Sequence, residues 1–228
     1  AATEANAGSD PAGMQTTAVL DGDQYVINGT KQWITNGGEA EIYTVMAITD
    51  KTKGPRGISA FIVEKDTLGF TFGKKENKMG IRASATRELV FDNCRVPKEN
   101  LLGSREGIGF IATMRTFDRT RPGIGAQAIG IAQGALDAAV KYSRERIQFG
   151  QTISSFQAIQ HMLADMATQI EAARALVYAT AKMIDSGAKN FSKESAMCKL
   201  FASDVAMKVT VDAVQVFGGY GYMKEYPV

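Results

Sequence analysis

Pro97-Lys98-Glu99-Asn100-Leu101-Leu102-Gly103-Ser104-Arg105 is the stretch at which the pattern of this 228-residue sequence changes. Before it, short apolar runs alternate with turns rich in Gly and Asn, which is typical of strands. After it, apolar residues recur at three- and four-residue steps over long segments, which is typical of amphipathic helices. The change predicts an α+β fold with two domains, a β-domain over residues 1–105 and a helical bundle over residues 106–228.

The β half is predicted from short apolar runs separated by turns. Ala18 to Asn28 holds two short strands around Asp21-Gly22-Asp23, a turn of the kind that closes a hairpin. Further strands are predicted at residues 42–48, 58–63, 70–72 and 88–91. Short strands at this spacing favour a β-barrel or a β-sandwich.

Three long amphipathic segments predict the helical bundle. They run over residues 107–143, 156–186 and 192–217, and the loops that join them are short. Pro122 lies in the first segment and predicts either the first turn of a helix or a kink. Ser186-Gly187 predicts the C-terminus of the second helix.

The composition argues against several classes of function. The chain carries 26 Lys and Arg against 24 Asp and Glu, and neither half is strongly basic, so we expect no nucleic-acid partner and no binding to a membrane. No apolar run is long enough to cross a bilayer. Two distant cysteines, Cys94 and Cys198, favour a reducing compartment over a disulfide framework. The single histidine, His161, excludes a multi-histidine metal site and is expected to be structural.

Two loop-like segments of the β half could contact a ligand. Thr3-Glu4-Ala5-Asn6-Ala7-Gly8-Ser9-Asp10 could place amide and hydroxyl donors against a ring system or a phosphate, or it could be an ordinary Asx or Ser turn. Trp33-Ile34-Thr35-Asn36-Gly37-Gly38 contains the only Trp of the chain. Either this ring is a wall beside a planar cofactor, with Thr35 as a hydroxyl donor, or it is a half-buried side chain that ends a strand.

Three segments of the helical half are candidates for binding phosphates or other polar groups. Arg146 to Gly150, followed by Phe156-Gln157, offers a guanidinium that could bind a phosphate or merely favour a helix C-terminus. Gln215 to Tyr222 ends a helix in glycines, which could admit a phosphate or only cap the helix. Asp118 to Pro122 places a carboxylate beside two guanidiniums, either to hold a ligand or as a charged helical segment. No glycine cluster follows a strand and opens a helix, so a Rossmann fold is disfavoured.

Together, and in this order, the motifs resemble those of the acyl-CoA dehydrogenase family. The resemblance extends over essentially the whole chain. It is carried by the following segments: Thr3-Glu4, Gly8-Ser9-Asp10, Trp33-Ile34-Thr35-Asn36-Gly37, Asn77-Lys78-Met79-Gly80, Arg95-Val96-Pro97, Arg146, Phe149-Gly150, Gln157 and Gln215-Val216-Phe217-Gly218-Gly219.

The resemblance implies a longer protein of three domains, in which a helical domain precedes the β-domain and the bundle. It implies FAD bound between β-domain and bundle, and a homo-oligomer, a dimer of dimers, whose subunits share each flavin. The family's flavin contacts correspond here to Thr3, Ser9, Trp33, Ile34 and Thr35. The contacts from a neighbouring subunit correspond to these residues: Arg146, Gln148, Phe156, Gln157, Gln215, Val216, Phe217, Gly218 and Gly219.

The resemblance also implies an acyl-CoA site, closest in sequence to that of the short- and medium-chain members. The substrate contacts correspond to the following residues: Ser9, Asp118, Arg119, Thr120 and Arg121. Thr120 stands where the branched- and long-chain subgroup has a catalytic Glu, so the base is expected to be a Glu beyond Val228. The chain alone is therefore expected to be inactive, and no metal is expected.

The implied activity is the flavin-dependent α,β-dehydrogenation of a short- or medium-chain acyl-CoA to the trans-2-enoyl-CoA, as in fatty acid β-oxidation. Electrons would pass to an electron-transfer flavoprotein. Two alternatives stay open: an enoyl-CoA reductase that works in the reverse direction, and a non-catalytic relative that binds flavin or acyl-CoA. The protein is expected in the bacterial cytoplasm or the mitochondrial matrix.

Overall fold

A hairpin of two strands, β1 (Thr17–Asp21) and β2 (Gln24–Thr35), lies at the centre of a six-stranded sheet in the computed structural model, which describes residues 1–228. The other four strands are β3 (Ile42–Ile48), β4 (Ile58–Glu64), β5 (Phe70–Phe72) and β6 (Thr86–Pro97). Their order across the sheet is β4-β3-β1-β2-β6-β5. Neighbours run antiparallel except β1 and β3, which are parallel.

The predicted sheet-rich first half is confirmed, and so are the strands and the hairpin turn within it. Gly22 begins the turn between β1 and β2 with a φ of +66°, a conformation that costs glycine little. The strands form one open sheet, with β4 and β5 at its edges, and not a closed barrel. Strand β6 is longer than predicted, because it pairs with β2 on one side and with β5 on the other.

Aromatic side chains fill the core of this sheet. Phe70 stacks on Phe91 with the ring centroids 4.7 Å apart, and Tyr43 meets Phe70 edge-on at 5.1 Å. Tyr25 packs against the fully buried Phe61 at 4.8 Å. Such aromatic pairs add to the burial energy and fix the alignment of the strands that carry them.

Strand β2 carries a bulge close to its end. Lys31 pairs with Leu89 and Ile34 with Arg87, so three steps along β2 correspond to two steps along β6. The extra residue allows Trp33 to adopt a φ of +55°. A bulge of this kind redirects side chains at the end of a strand, and bulges are common beside functional sites.

Three helices form the second unit, Arg115–Val228, together with a short hairpin. Their bounds are α1 (Gly109–Glu145), α2 (Gln157–Asp185) and α3 (Ser192–Phe217), and the hairpin of β7 (Ile147–Gln148) and β8 (Gln151–Thr152) joins α1 to α2. The predicted helical second half is thus confirmed. The two compact units divide at Met114/Arg115, inside α1. The domain boundary at residue 105 stays a prediction.

Small side chains allow the three helices to approach one another closely. Gly125 of α1 is the tightest point, since a Cβ there would lie 3.0 Å from Val177 Cγ2 and 3.3 Å from the Cys198 carbonyl oxygen. Alanines on all three helices are fully buried in the same core: Ala132, Ala139, Ala173, Ala202 and Ala213. Tight packing of this kind makes the core sensitive to added volume.

Pro122 lies well inside α1, so the prediction that it marks the first turn of a helix is wrong. Proline has no amide hydrogen, which leaves the Asp118 carbonyl without its usual partner four residues on. The buried Ser195 hydroxyl of α3 donates a hydrogen bond to this carbonyl instead. The helix is therefore continued across Pro122 with the help of a neighbouring helix.

Candidate functional site

The first candidate surface, here called the loop–bulge surface, consists of Thr3–Ser9 and Trp33–Thr35. The Gln32 amide donates a 2.9 Å hydrogen bond to the Thr3 carbonyl, which fixes the loop beside the end of β2. The loop is itself closed by a reciprocal pair of 3.1 Å hydrogen bonds between the Glu4 and Ala7 backbones. Thr3 is thereby brought beside the end of β2 that carries Trp33, Ile34 and Thr35, and Ser9 is an exposed residue at the far end of the same loop.

Trp33 is held out of the core on this surface. Its side chain is 59% exposed, and its φ of +55° is unusual for a bulky residue. Thr35 is also exposed, whereas Ile34 between them is half-buried. A strained, exposed aromatic residue at a bulge is more typical of a binding surface than of the end of a strand. The observation supports the first of the two interpretations given for this Trp.

The turn after Thr35 is fixed by Tyr43. The Tyr43 hydroxyl accepts a 2.9 Å hydrogen bond from the Gly38 amide and donates a 3.1 Å hydrogen bond to the Asn36 carbonyl. Beneath this turn lies Arg87, close to Gly37 and Gly38. Arg87 Nε is buried and has no hydrogen-bond partner. A buried donor without a partner is uncommon in folded proteins, and its burial under Gly37 and Gly38 keeps it out of reach of a ligand at the surface.

A buried ion pair supports the loop–bulge surface, and sequence analysis did not predict it. Lys31 Nζ lies 2.8 Å from Glu4 Oε1, and the two side chains are 0% and 10% exposed. The Glu4 carboxylate also accepts hydrogen bonds from the Gln15 amide, the Thr16 amide and the Thr16 hydroxyl. Buried Lys is rare unless it is paired, but the two residues lie 27 positions apart, so no local pattern indicated the pair.

The two charges respond differently to burial. Burial acts to raise the pKa of Glu4, but the hydrogen bonds from Lys31, Thr16 and Gln15 outweigh it and hold the pKa below its usual range. Burial lowers the pKa of Lys31, and the attraction of Glu4 opposes this only in part. Four separate donors favour the ionised form of Glu4.

The second candidate site is a cavity of about 600 Å³ in the helical unit, here called the hairpin–glycine cavity. It lies where the β7–β8 hairpin meets the end of α3. The residues that line it are Tyr142, Arg146, Gln148, Ile153, Val216, Phe217, Gly218, Gly219, Tyr220 and Met223. Six of the nine residues predicted to contact the flavin from a neighbouring subunit are thus brought together. Phe156, Gln157 and Gln215 are not part of the lining.

Arg146 is the only charged residue in the lining of this cavity. Its guanidinium carbon lies 5.3 Å from the centre of the Tyr220 ring, and it takes part in no ion pair. Since an unpaired guanidinium keeps its donors free for an anion, the arrangement supports the predicted phosphate contact over a purely local role.

The turn of the β7–β8 hairpin projects an aromatic side chain into solvent. Phe149 and Gly150 both have positive φ, +53° and +77°, as a two-residue hairpin turn of type I′ requires. Phe149 is 93% exposed, and its ring meets that of Phe156 edge-on at 6.0 Å. Asn or Gly would suit this turn better than Phe, so the side chain is kept against local preference.

At the other side of the cavity, Gly218 ends helix α3 with a φ of +63°. Val216 and Phe217 are almost fully buried, and Phe217 stacks on Tyr142 at 4.2 Å. Gln215 is exposed on the last turn of the helix. The Gly218 amide is already bonded to the carbonyls of α3, so it caps the helix as the simpler interpretation predicted.

The Asp118 segment of α1 lies in the helical unit beside a second cavity, of about 310 Å³. The lining residues are Arg115, Asp118, Arg119, Lys189, Asn190, Phe191 and Ser192. The Asp118 carboxylate accepts hydrogen bonds from Arg121 and from the Ser192 hydroxyl, so it is already engaged. Arg119 and Thr120 are exposed. Arg115, Arg119 and Lys189 therefore give the cavity a cationic character that Asp118 only partly balances.

The helices and side chains limit other kinds of site. No helix has the length and apolar character needed to span a membrane. Nowhere do three or more His, Cys, Asp or Glu side chains gather as a metal site would require. Burial raises the pKa of the Cys94 thiol to about 11, and it raises the pKa of Cys198 as well, so neither has the character of a nucleophile.

The fold and the two candidate sites define a class of protein in which a sheet-rich unit is followed by a helical unit that carries a cavity of about 600 Å³. Comparison with known families is consistent with this description. Residues 1–94 match the model of the acyl-CoA dehydrogenase middle domain, and residues 107–228 match that of the acyl-CoA dehydrogenase C-terminal domain. The chain belongs to the acyl-CoA dehydrogenase family.

Relatives within the family are similar along the whole chain. The structure of butyryl-CoA dehydrogenase from Megasphaera elsdenii is 56% identical, with a TM-score of 0.97 over 99% of this chain and 59% of that chain. A structure from work on the electron transferring flavoprotein of Acidaminococcus fermentans is 61% identical, with a TM-score of 0.97 over 99% and 59%. The acryloyl-CoA reductase (NADH) of Anaerotignum propionicum is 56% identical over 100% of this chain and 58% of its own. The chain thus spans about 58% of the length of such curated relatives.

Proposed function

We propose that the protein is an FAD-dependent acyl-CoA dehydrogenase that converts a short- or medium-chain acyl-CoA to the trans-2-enoyl-CoA. The observation that carries the proposal is the gathering of six of the nine residues predicted to contact a neighbouring subunit's flavin in the hairpin–glycine cavity. An electron-transfer flavoprotein is the proposed electron acceptor, since a chain 61% identical to this one belongs to a structure of such a system.

The loop–bulge surface fits the ring system of a flavin. Trp33 offers an exposed aromatic face, and Thr35, two residues further along the strand, offers a hydroxyl donor. We assign ring contacts to Trp33, Ile34 and Thr35, and contacts from the adjoining loop to Thr3 and Ser9.

The hairpin–glycine cavity fits the phosphate-bearing half of the cofactor. Arg146 supplies a free guanidinium, Tyr220 and Met223 supply apolar wall, and the volume of about 600 Å³ is that of a small-ligand site. In the proposed assembly, a dimer of dimers, this cavity serves the flavin of a neighbouring subunit. The contacts assigned to it are Arg146, Gln148, Phe156, Gln157, Gln215, Val216, Phe217, Gly218 and Gly219.

The residues proposed to contact the substrate are Ser9, Asp118, Arg119, Thr120 and Arg121. Arg119 and its neighbours Arg115 and Lys189 attract the phosphates of CoA through charge-assisted hydrogen bonds. Asp118 holds Arg121 in place, as their hydrogen bond shows. Because Thr120 has no carboxylate, the base that removes the α-proton is proposed to be a Glu elsewhere in the protein. When bound, the flavin supplies the acceptor for the β-hydride.

Flavin binding is tested first, with the full-length protein. It should be yellow or become so with FAD, and a saturated acyl-CoA should bleach the colour under anaerobic conditions. A protein that stays colourless after reconstitution refutes the proposal. A yellow protein that no acyl-CoA bleaches supports the non-catalytic alternative instead.

Arg146→Ala tests the assignment of the hairpin–glycine cavity. Loss of charge-assisted hydrogen bonds to a phosphate should raise the dissociation constant of FAD roughly ten- to hundred-fold, measured by fluorescence titration of the apoprotein. Arg144→Ala is the matched control, because Arg144 is exposed, lies nearby on α1 and does not line this cavity. Equal affinities of the two variants would contradict the assignment.

A reductase is the second candidate function, because a relative 56% identical over the whole chain is an acryloyl-CoA reductase (NADH). The same sites would then serve the addition of hydrogen to an enoyl-CoA. Rates measured in both directions, with oxidised and reduced electron-transfer flavoprotein and with NADH, distinguish the two. A rate that is high only with a reduced donor would favour the reductase.

A further inference from the structure

The buried ion pair of Glu4 and Lys31 connects the two segments that form the loop–bulge surface. Glu4 directly follows Thr3, and Lys31 lies two residues before Trp33. Their 2.8 Å contact is shielded from water, since Lys31 is fully buried. No other ion pair in the molecule joins the loop to strand β2.

Glu4 also closes the loop on itself. Its carboxylate accepts hydrogen bonds of 2.6 Å from the Gln15 amide and 3.0 Å from the Thr16 amide, at the point where the loop enters β1. Lys31 Nζ donates a further 3.2 Å hydrogen bond to the Ala2 carbonyl. The Glu4 carboxylate and the Lys31 ammonium therefore connect three parts of the chain: the segment at Ala2, the residues Gln15 and Thr16 that precede β1, and strand β2.

The bulge begins at the residue that carries this ammonium group. The pairing of β2 with β6 loses register directly after Lys31 and regains it at Ile34. Between them, Trp33 holds a backbone conformation that is unfavourable for a bulky residue and persists only where its surroundings determine it. Lys31, which Glu4 holds in place at the start of the bulge, helps to fix the backbone conformation of Trp33.

We propose that Glu4 and Lys31 are positioning residues for the flavin, which pre-organise the loop–bulge surface before the cofactor binds. The inference rests on the proposed function for the identity of the ligand. A buried ion pair is weak evidence for stability in itself, because desolvation of the two charges offsets most of their attraction. What the pair supplies here is a defined geometry, and geometry prepared in advance reduces the entropy lost on binding.

Lys31→Met in the full-length protein is the principal test. It keeps the length of the side chain and removes the charge. Hydrogen exchange of the Gln32 amide, which is bonded to the Thr3 carbonyl, reports whether the loop stays docked. We expect this exchange to become roughly tenfold faster or more, and the dissociation constant of FAD to rise roughly ten- to hundred-fold.

Two controls separate positioning from a loss of stability. Val63→Ala removes volume from the buried core of the same sheet without touching the loop, and it should destabilise the unit while leaving FAD affinity within about twofold. Glu41→Gln breaks the exposed pair with Lys65 and should change neither quantity. If Lys31→Met does not fold, Thr16→Val, which deletes one hydrogen bond to Glu4, tests the same network.

The outcomes distinguish the inference from the proposed function. Equal losses of FAD affinity in Lys31→Met and in Val63→Ala, or unchanged exchange at Gln32, overturn the positioning role alone. Failure of the unsubstituted protein to bind FAD overturns the proposed function, while the exchange measurement still shows whether the pair holds the loop. Faster exchange together with weaker FAD binding, absent from both controls, supports the inference.

Discussion

Ser195→Ala removes the hydroxyl that compensates for Pro122 in helix α1. The Ser195 side chain is fully buried, and its hydroxyl donates to the Asp118 carbonyl that the proline leaves without an amide partner. After the substitution, this carbonyl is left without its donor inside the helical unit. We expect the unit to lose stability, although alanine is a better helix former than serine.

The magnitude follows from a comparison on one helix. The Asp118 carbonyl is partly buried, and a shielded carbonyl that loses its partner costs about 1–3 kcal/mol. The gain in helix propensity from Ser to Ala is roughly 0.5 kcal/mol and acts in the opposite direction. Ser203→Ala, also on α3, measures this gain alone, because the Ser203 hydroxyl only makes an exposed hydrogen bond to the Leu200 carbonyl. The two variants should therefore differ by about 1–3 kcal/mol in their free energy of unfolding.

Urea unfolding followed by circular dichroism measures this difference. The midpoint of Ser195→Ala should fall below that of Ser203→Ala, and the m-value should stay unchanged because the same surface is exposed on unfolding. Pro122→Ala provides a second step, since it restores an amide donor to the Asp118 carbonyl. In that background Ser195→Ala should cost less. Equal midpoints for the two serine variants, or equal costs with and without Pro122, would refute the reasoning.

Two further predictions concern the sheet-rich unit. Gly57→Ala should destabilise this unit by about 1–3 kcal/mol in urea unfolding, because the new Cβ would lie 1.7 Å from the Asp50 carbonyl oxygen and the backbone must move. The contrasting variant is Gly134→Ala on α1, where the added Cβ meets no other atom. It should stabilise the helical unit by about 0.5–1 kcal/mol. The pKa of Glu4 is lowered on folding from 4.5, so its ionisation stabilises the fold above that pH, and this contribution is lost as the pH falls through the folded-state pKa. The difference in free energy of unfolding between the unsubstituted protein and Glu4→Gln should therefore shrink below about pH 4.5. If this difference stays constant down to the pH at which the protein unfolds in acid, Glu4 is not the titrating group.

The two halves of the fold could be predicted because each shows its own periodicity over many residues. The long helices repeat an apolar face of Ala, Ile and Leu, and the hairpin carries an unambiguous turn at Asp21-Gly22-Asp23. The sequence pattern could not predict that the sheet is open. A barrel and an open sheet have the same pattern of strands, and they differ only in whether the two edge strands pair with each other. The course of α1 past Pro122 also depends on a partner distant in sequence, Ser195.

The candidate sites were predictable to the extent that a motif is continuous in sequence. Trp33–Thr35 and Gly218–Gly219 each lie within one segment, and the structure brings the first beside Thr3 and the second beside Arg146 and Gln148. Glu4 and Lys31 were missed because each is an ordinary charged residue until the fold brings them together. Their separation of 27 residues carries no local signal. The unsatisfied Arg87 likewise becomes informative only when its burial is known.

Residues that contradict local preference mark the candidate sites more sharply than residues that follow it. Three bulky side chains have positive φ, and each lies in or next to a segment that resembles a family motif: Trp33, Ile81 and Phe149. Asn or Gly at each position would relieve the backbone strain, so a requirement for these side chains has to come from outside the local structure. Trp33 and Phe149 are also largely exposed, which removes packing within this chain as that requirement. Contact with a ligand, with another part of a longer protein or with a second copy of the chain is what remains, and the proposed flavin site would supply the first and the last of these.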